Sequence, residues 1–162
     1  MSSRPDSVLV NGVPAQSVSV LDRGLHYGDG LFETITCRGG KPRLLELHLE
    51  RLSEGCRRLG IDPGDMEVIR REIEQLAGEV DASIVKLILT RGEAVARGYD
   101  LTGAETPTRI SLRYVSKPEP PGGTRPWRVR TARLRLGENP ALAGMKHLNR
   151  LEQVLARAEL RK

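Results

Sequence analysis

The sequence predicts an α+β domain over residues 1–115, followed from residue 127 by the first elements of a second domain. Three observations carry this. Short apolar runs are separated by turn residues. Two stretches repeat their apolar residues at helical spacing. A Pro/Gly-rich stretch, "KPEPPGGTRP" from Lys117 to Pro126, interrupts the pattern and marks residues 116–126 as a linker. At 162 residues the chain suffices for one domain of ordinary size, or for one domain and the start of another.

In order along the chain, Ser7–Val10 and Val18–Leu21 flank turn formers that include Asn11-Gly12 and are read as a hairpin. Leu31–Cys37 is a second strand. Gly39-Gly40-Lys41-Pro42 makes a turn, with Arg43–Leu45 as a short returning strand. Leu49, Leu52, Cys56 and Leu59 then recur at helical spacing and are closed by Gly60. Asp62-Pro63-Gly64 breaks the chain before a second helix over Met66–Ala77. Ser83–Thr90, rich in Ile, Leu and Val, reads as a buried strand, and Arg109–Val115 as another. Beyond the linker, Trp127–Leu136 alternates like a strand. A loop leads through Gly144 to a helix from about Asn149, with Leu148, Leu151, Leu155 and Ala158 along one face.

Composition narrows the function. Hydrophobic residues make up 38% of the chain and only five are aromatic, so Leu, Val and Ile must fill a lean core. No run approaches the ~20 apolar residues that span a bilayer, and Met1–Asp6 carries no apolar stretch of signal-peptide type. Cys37 and Cys56 fit no metal or redox spacing and are read as reduced core residues, which places the protein in the cytoplasm. The net charge of +5 comes from 21 Arg and 5 Lys against 21 acids. These arginines are spread along the chain without interleaved aromatics, which argues against nucleic acid. An anionic small molecule needs only two or three arginines converging on one pocket.

Four stretches carry candidate chemistry. "LDRGLHYGDGLFETI", Leu21–Ile35, packs three glycines into seven residues. It is either backbone that approaches a ligand closely or a long hairpin connection. Arg51, in "LLELHLERL", is either a solvated helix-face arginine or a fork aimed at phosphate or carboxylate. Arg91, Arg97 and Tyr99 stand in a glycine-rich loop, where two arginines and a phenol suit a carboxylate. Lys146 sits at the mouth of the last helix. A lysine condenses with an aldehyde when its amine is neutral and held still, and neighbouring positive charge or a low-dielectric pocket favours that state. A solvated lysine before a helix is the other reading. His26, His48 and His147 have no metal spacing and are read as packing or hydrogen-bonding residues.

"LDRGLHYGDGLFETI", "LHLERL", "TRGEAVARGY" and "LRLGENPALAGMKHLNRLEQVLARAEL" resemble, in this order, the N-terminal half of the aminodeoxychorismate lyases, a branch of the class IV aminotransferases with fold type IV. The resemblance covers nearly the whole chain. Its first two stretches are shared with branched-chain and D-amino-acid aminotransferases, whereas "NPALAGMKHLNRLEQVLAR" points to the lyases. Met145 replaces the aliphatic residue more usual there. The resemblance implies pyridoxal 5'-phosphate as cofactor, a homodimer, and cleavage of 4-amino-4-deoxychorismate to 4-aminobenzoate and pyruvate. An aminotransferase of the same fold is the alternative. It implies that Lys146 holds the cofactor covalently, that Arg51 binds its phosphate, and that Arg97 binds a substrate carboxylate with Tyr99 beside it. Tyr27 corresponds to a residue near the cofactor. Family members are longer, so the 162 residues are expected to be an N-terminal portion, inactive or nearly so alone.

Overall fold

A computed structural model describes residues 4–117, 126 and 129–161. Most of the 116–126 linker, and Trp127, therefore lie outside the described residues.

Six strands form one antiparallel sheet. They are β1 (Ser7–Val10), β2 (Val13–Pro14), β3 (Gly30–Arg38), β4 (Lys41–Pro42), β5 (Ala82–Thr90) and β6 (Thr108–Val115), in the order β2-β1-β6-β5-β3-β4. Period-two alternation decides the two faces. Leu31, Ile35 and Cys37 of β3 and Val85, Leu87 and Leu89 of β5 point to one side and are buried. Helices α2 (Leu45–Leu59) and α3 (Met66–Gly78) cover that side with Leu49, Leu52, Cys56, Ile69, Ile73 and Leu76. The other side, with Phe32, Thr34, Lys86 and Ile88, is left half-buried or exposed.

Helix α2 lies tight on β3 at Gly55. A Cβ there would come within 2.8 Å of Leu31 Cδ1, so a side chain at this position would push the helix off the strand. Both cysteines are buried and free. Burial, followed by the charge of Asp62, pushes the Cys56 thiol up to about 11 and leaves it inert.

The core face also takes in charge. Glu72 of α3 receives Arg109 at 3.0 Å and the Ser111 hydroxyl. Arg113 bonds Asp6 at 2.7 Å, Glu79, and the Leu76 carbonyl at 3.1 Å. These pairs explain how β6 presents Ser111 and Arg113 to a helix without orphaned polar groups.

Several expectations shift. The Asn11-Gly12 turn forms, both residues having positive φ (52° and 83°) as a two-residue hairpin turn requires. Its returning strand, however, is Val13–Pro14 and not Val18–Leu21. The latter leads into a short helix, α1 (Arg23–Tyr27), capped by Asp22 and closed by Gly28 at φ 66°. Arg43–Leu45 is not a strand. Leu44 takes a left-handed conformation (φ 54°) that turns the chain directly into α2. Val129–Leu136 forms no strand either. Its alternation survives as Ala132 and Leu134 turned toward the last helix, α4 (Leu151–Ala158). The Arg133 and Leu134 amides donate to the Glu159 carboxylate at 2.8 and 2.9 Å, which does the work of a partner strand. No residue of α4 is buried. Among the described residues no helix is long and apolar enough to cross a membrane.

Candidate active site

The site is organised by the start of β3. One edge of β3 pairs along its whole length with β5. Its other edge is taken by β4 at the far end and by residues 146–148 at the near end. The Phe32 amide donates to the Lys146 carbonyl and the Leu148 amide to the Gly30 carbonyl, both at 2.9 Å. Lys146 is therefore held by a piece of sheet, and Met145 beside it is buried in the core.

Lys146 Nζ stands 4.4 Å from the centroid of the Phe32 ring. Arg150 and Lys86 approach the same ring, each at 5.5 Å. Three cations thus share one aromatic side chain on the uncovered side of the sheet. Burial lowers the Lys146 ammonium below its ordinary 10.5. Glu33 opposes this, and the charges of Arg51, Arg150 and Lys86 reinforce it. The result is an amine closer to neutrality than a surface lysine. A cleft of about 640 Å³ opens beside it, between Phe32 and α4, with Arg150 and Arg157 on its wall. His147, next along, keeps a buried Nδ1 without a partner among the described residues, and burial and then Arg150 hold its ring below the usual 6.5.

Arg51 projects from α2 over the same strand. Its Nε and Nη2 donate to the two oxygens of Glu33 at 2.7 and 2.6 Å. Glu33 is 1% exposed and also accepts from His48 Nδ1 at 2.7 Å, while the Arg51 side chain is 45% exposed. This forked bond raises the Arg51 guanidinium further above its ordinary value.

Tyr27 and Tyr99 form a second cluster, their rings 5.2 Å apart. Arg23 lies over Tyr27 at 4.9 Å and donates to the carbonyls of Gly98 and Tyr99. Asp29 anchors the arrangement by bonding Arg23 at 2.9 Å and Arg91 at 2.8 Å. Burial pushes the Asp29 carboxyl up, but the bonds from Arg91 and Arg23 outweigh it and hold it below the usual range. Arg91 therefore works as a structural tie that also reaches the Leu59 and Gly60 carbonyls at the end of α2. Arg97 is exposed and makes no hydrogen bond or ion pair among the described residues. The two clusters meet where Asn149 donates to the Gly28 carbonyl at 3.2 Å. At that point a Cβ on Gly28 would strike Asn149 at 2.5 Å.

Of the residues expected at the site, Lys146 and Arg51 gather around β3, and Tyr27 and Tyr99 touch each other. Arg97 stands apart in the loop. Arg150, near Lys146 in sequence as a neighbouring positive charge, does stand beside it, whereas Phe32, Glu33 and Lys86 are additions that the structure makes. For Glu33 a signal existed, because it falls in the buried phase of Leu31, Ile35 and Cys37, where a carboxylate must find a cation. For Lys86 the signal is weaker, a lone lysine at an outward position of an otherwise apolar strand.

A family model for class IV amino-transferases matches residues 30–162. The chain is 34% identical over 156 residues to an aminodeoxychorismate lyase of Vibrio harveyi, covering 93% of this chain and 56% of that one. It superposes on a crystal structure of 4-amino-4-deoxychorismate lyase from Pseudomonas aeruginosa with a TM-score of 0.81 and 52% identity, over 94% of this chain and 56% of that one. A hypothetical aminotransferase of Mycobacterium tuberculosis in its PLP-bound form superposes with a TM-score of 0.58 and 25% identity, over 67% of this chain and 39% of that one. The chain thus spans about half the length of these lyase relatives. The family model and the superposition together show that this chain belongs to the class IV aminotransferase family, with the fold type IV architecture of its N-terminal domain.

Proposed function

We propose that the protein to which this chain belongs is a pyridoxal-phosphate-dependent lyase converting 4-amino-4-deoxychorismate to 4-aminobenzoate and pyruvate. The observation that carries this is the Lys146 amine, held 4.4 Å from the Phe32 ring with Lys86 and Arg150 beside it, in a chain 52% identical to a 4-amino-4-deoxychorismate lyase. The side chains present suit the cofactor. Lys146 offers an amine for the aldehyde, Phe32 an apolar surface, and Arg51 free N–H groups for a phosphate. When bound, pyridoxal phosphate supplies an electron-accepting ring.

The residues of the chain do the rest. Lys146 Nζ, whose ammonium is held below its ordinary value by burial, is the base that takes the proton from the substrate carbon bearing the amino group. With that proton gone, the bond from the neighbouring carbon to the enolpyruvyl oxygen breaks and the ring becomes aromatic as 4-aminobenzoate. The released enolpyruvate takes up one proton at its methylene carbon to become pyruvate, so that the proton removed from the ring is balanced by the one gained. Aromatisation makes the step strongly downhill, so the protein needs chiefly to position and ionise its groups. The substrate carries two carboxylates, which suits the excess of positive charge from Lys86 and Arg150 and gives Arg97, two residues before Tyr99 in the same loop, a role in binding one of them, with Tyr99 and Tyr27 as further substrate-side groups. The reading carries with it a homodimer, a cytoplasmic location and a division at the 116–126 linker.

The experiment is a 4-aminobenzoate assay on the complete protein beside Lys146→Ala. The variant is expected to lose turnover and the visible cofactor absorbance while remaining folded, and borohydride is expected to fix the cofactor on residue 146. Label on Lys86 or Lys41 overturns the assignment. Turnover that requires an added keto acid replaces the lyase with an aminotransferase.

A further inference from the structure

The pair formed by Arg51 and Glu33 divides the guanidinium in two. Arginine has five N–H bonds arranged along the edges of a planar fork. Glu33 occupies the edge formed by Nε and Nη2, at 2.7 and 2.6 Å. On the edge formed by Nη1 and Nη2, Nη2 also lies 3.5 Å from His48 Nδ1, a nitrogen whose proton is already given to Glu33 and which therefore cannot accept, and the side chain is 45% exposed where Glu33 is sealed beneath it. The carboxylate is itself fixed, because His48 Nδ1 donates to Oε2 at 2.7 Å and Glu33 sits in the middle of a paired strand. A carboxylate only accepts, so the imidazole proton lies on Nδ1.

Strand geometry adds a second point. Phe32 and Glu33 are consecutive on β3 and point to opposite faces. Phe32 lies under the Lys146 amine, and its amide holds the Lys146 carbonyl. Glu33 holds Arg51. A single peptide unit of β3 therefore sets the position of the amine and of the guanidinium together.

Resting on the reading of Arg51 as the phosphate ligand, we infer that Glu33 is the positioning residue of the phosphate site. It takes one edge of the Arg51 fork, locks the side chain in register with Lys146, and leaves the second edge free for two of the phosphate oxygens. Glu33 itself touches neither cofactor nor substrate.

The test uses the complete apoprotein, titrated with pyridoxal phosphate and separately with pyridoxal, which lacks the phosphate. The readout is the ratio of the two dissociation constants. Arg51→Ala is expected to reduce the preference for the phosphate form about ten-fold or more. Glu33→Gln is expected to reduce it about five-fold, with pyridoxal affinity little changed. Because Glu33 acts through Arg51, the double variant is expected to lose no more than Arg51→Ala alone. A full preference in Glu33→Gln beside a loss in Arg51→Ala overturns the role of Glu33 and leaves Arg51 as the phosphate ligand. An unchanged preference in Arg51→Ala removes the phosphate reading itself, and this inference with it. Additive losses mean that Glu33 acts on its own and also overturn it. Should Glu33→Gln fail to fold, Glu33→Asp, which keeps the charge but withdraws it by one methylene, is expected to show the same loss of preference. An undiminished preference there counts against the inference.

Discussion

Helices α2 and α4 begin from the same kind of sequence signal and end in different states. Each places leucines three and four residues apart on one side. In α2 the stripe of Leu45, Leu49, Leu52 and Cys56 is buried against β3. In α4 no residue is buried, and Leu151 and Leu155 are 70% and 48% exposed. The difference lies in what faces them. The sheet gives α2 a surface of matching phase, fixed by strands far apart in sequence. Among the described residues helix α4 faces Ala132, Leu134 and their neighbours on one side and the open cleft toward Phe32 on another, and the glutamate that follows it, Glu159, ties two backbone amides. An amphipathic pattern states which side of a helix is apolar, and the rest of the fold states whether that side is covered.

The comparison can be broken by truncating one leucine from each stripe. Leu52→Ala removes a side chain that is 1% exposed and is expected to cost about 2–5 kcal/mol in urea denaturation. Leu151→Ala is expected to stay within about 0.5 kcal/mol. Equal losses would mean that α4 is covered in solution.

The arginines sharpen the same contrast at smaller scale. Arg113→Ala leaves Asp6, Glu79 and the Leu76 carbonyl without their donor. Because Asp6 and Glu79 are 35% and 46% exposed and regain water, the expected loss is about 1–3 kcal/mol, less than for a fully buried pair. Arg57→Ala, which breaks a pair with Glu54 on the outside of α2, is expected to leave the unfolding midpoint unchanged.

The smallest effect belongs to His147, beside the site. Its folded pKa lies below the ordinary 6.5. Below pH 6.5 the unfolded chain therefore binds more protons than the folded one at this residue. The stability it contributes is present above 6.5 and is lost as pH falls through the folded value. Urea midpoints measured down the acid side are expected to fall less steeply for His147→Gln than for the unsubstituted protein. Parallel profiles would show that the ring is solvated.

By itself the sequence determined the alternation that gives β3, β5 and β6 their two faces, the helical spacing of α2 and α3, and the Asn11-Gly12 turn. These depend on neighbours within a few residues, and the local physics is complete there. It also marked Lys146 and Arg51 through their resemblance to a family. It did not show that Val18–Leu21 feeds a helix, because the edge of β1 is closed after two residues by Val13–Pro14. Nor did it show that Val129–Leu136 would satisfy amides with a glutamate carboxylate. Tertiary structure alone decided that Glu33, eighteen residues before Arg51, would take one edge of its guanidinium, and that Lys86 and Arg150 would share the Phe32 ring with Lys146. Those contacts join segments with no shared periodicity. Their energies depend on desolvation and distance, which exist only once the sheet has brought the segments together.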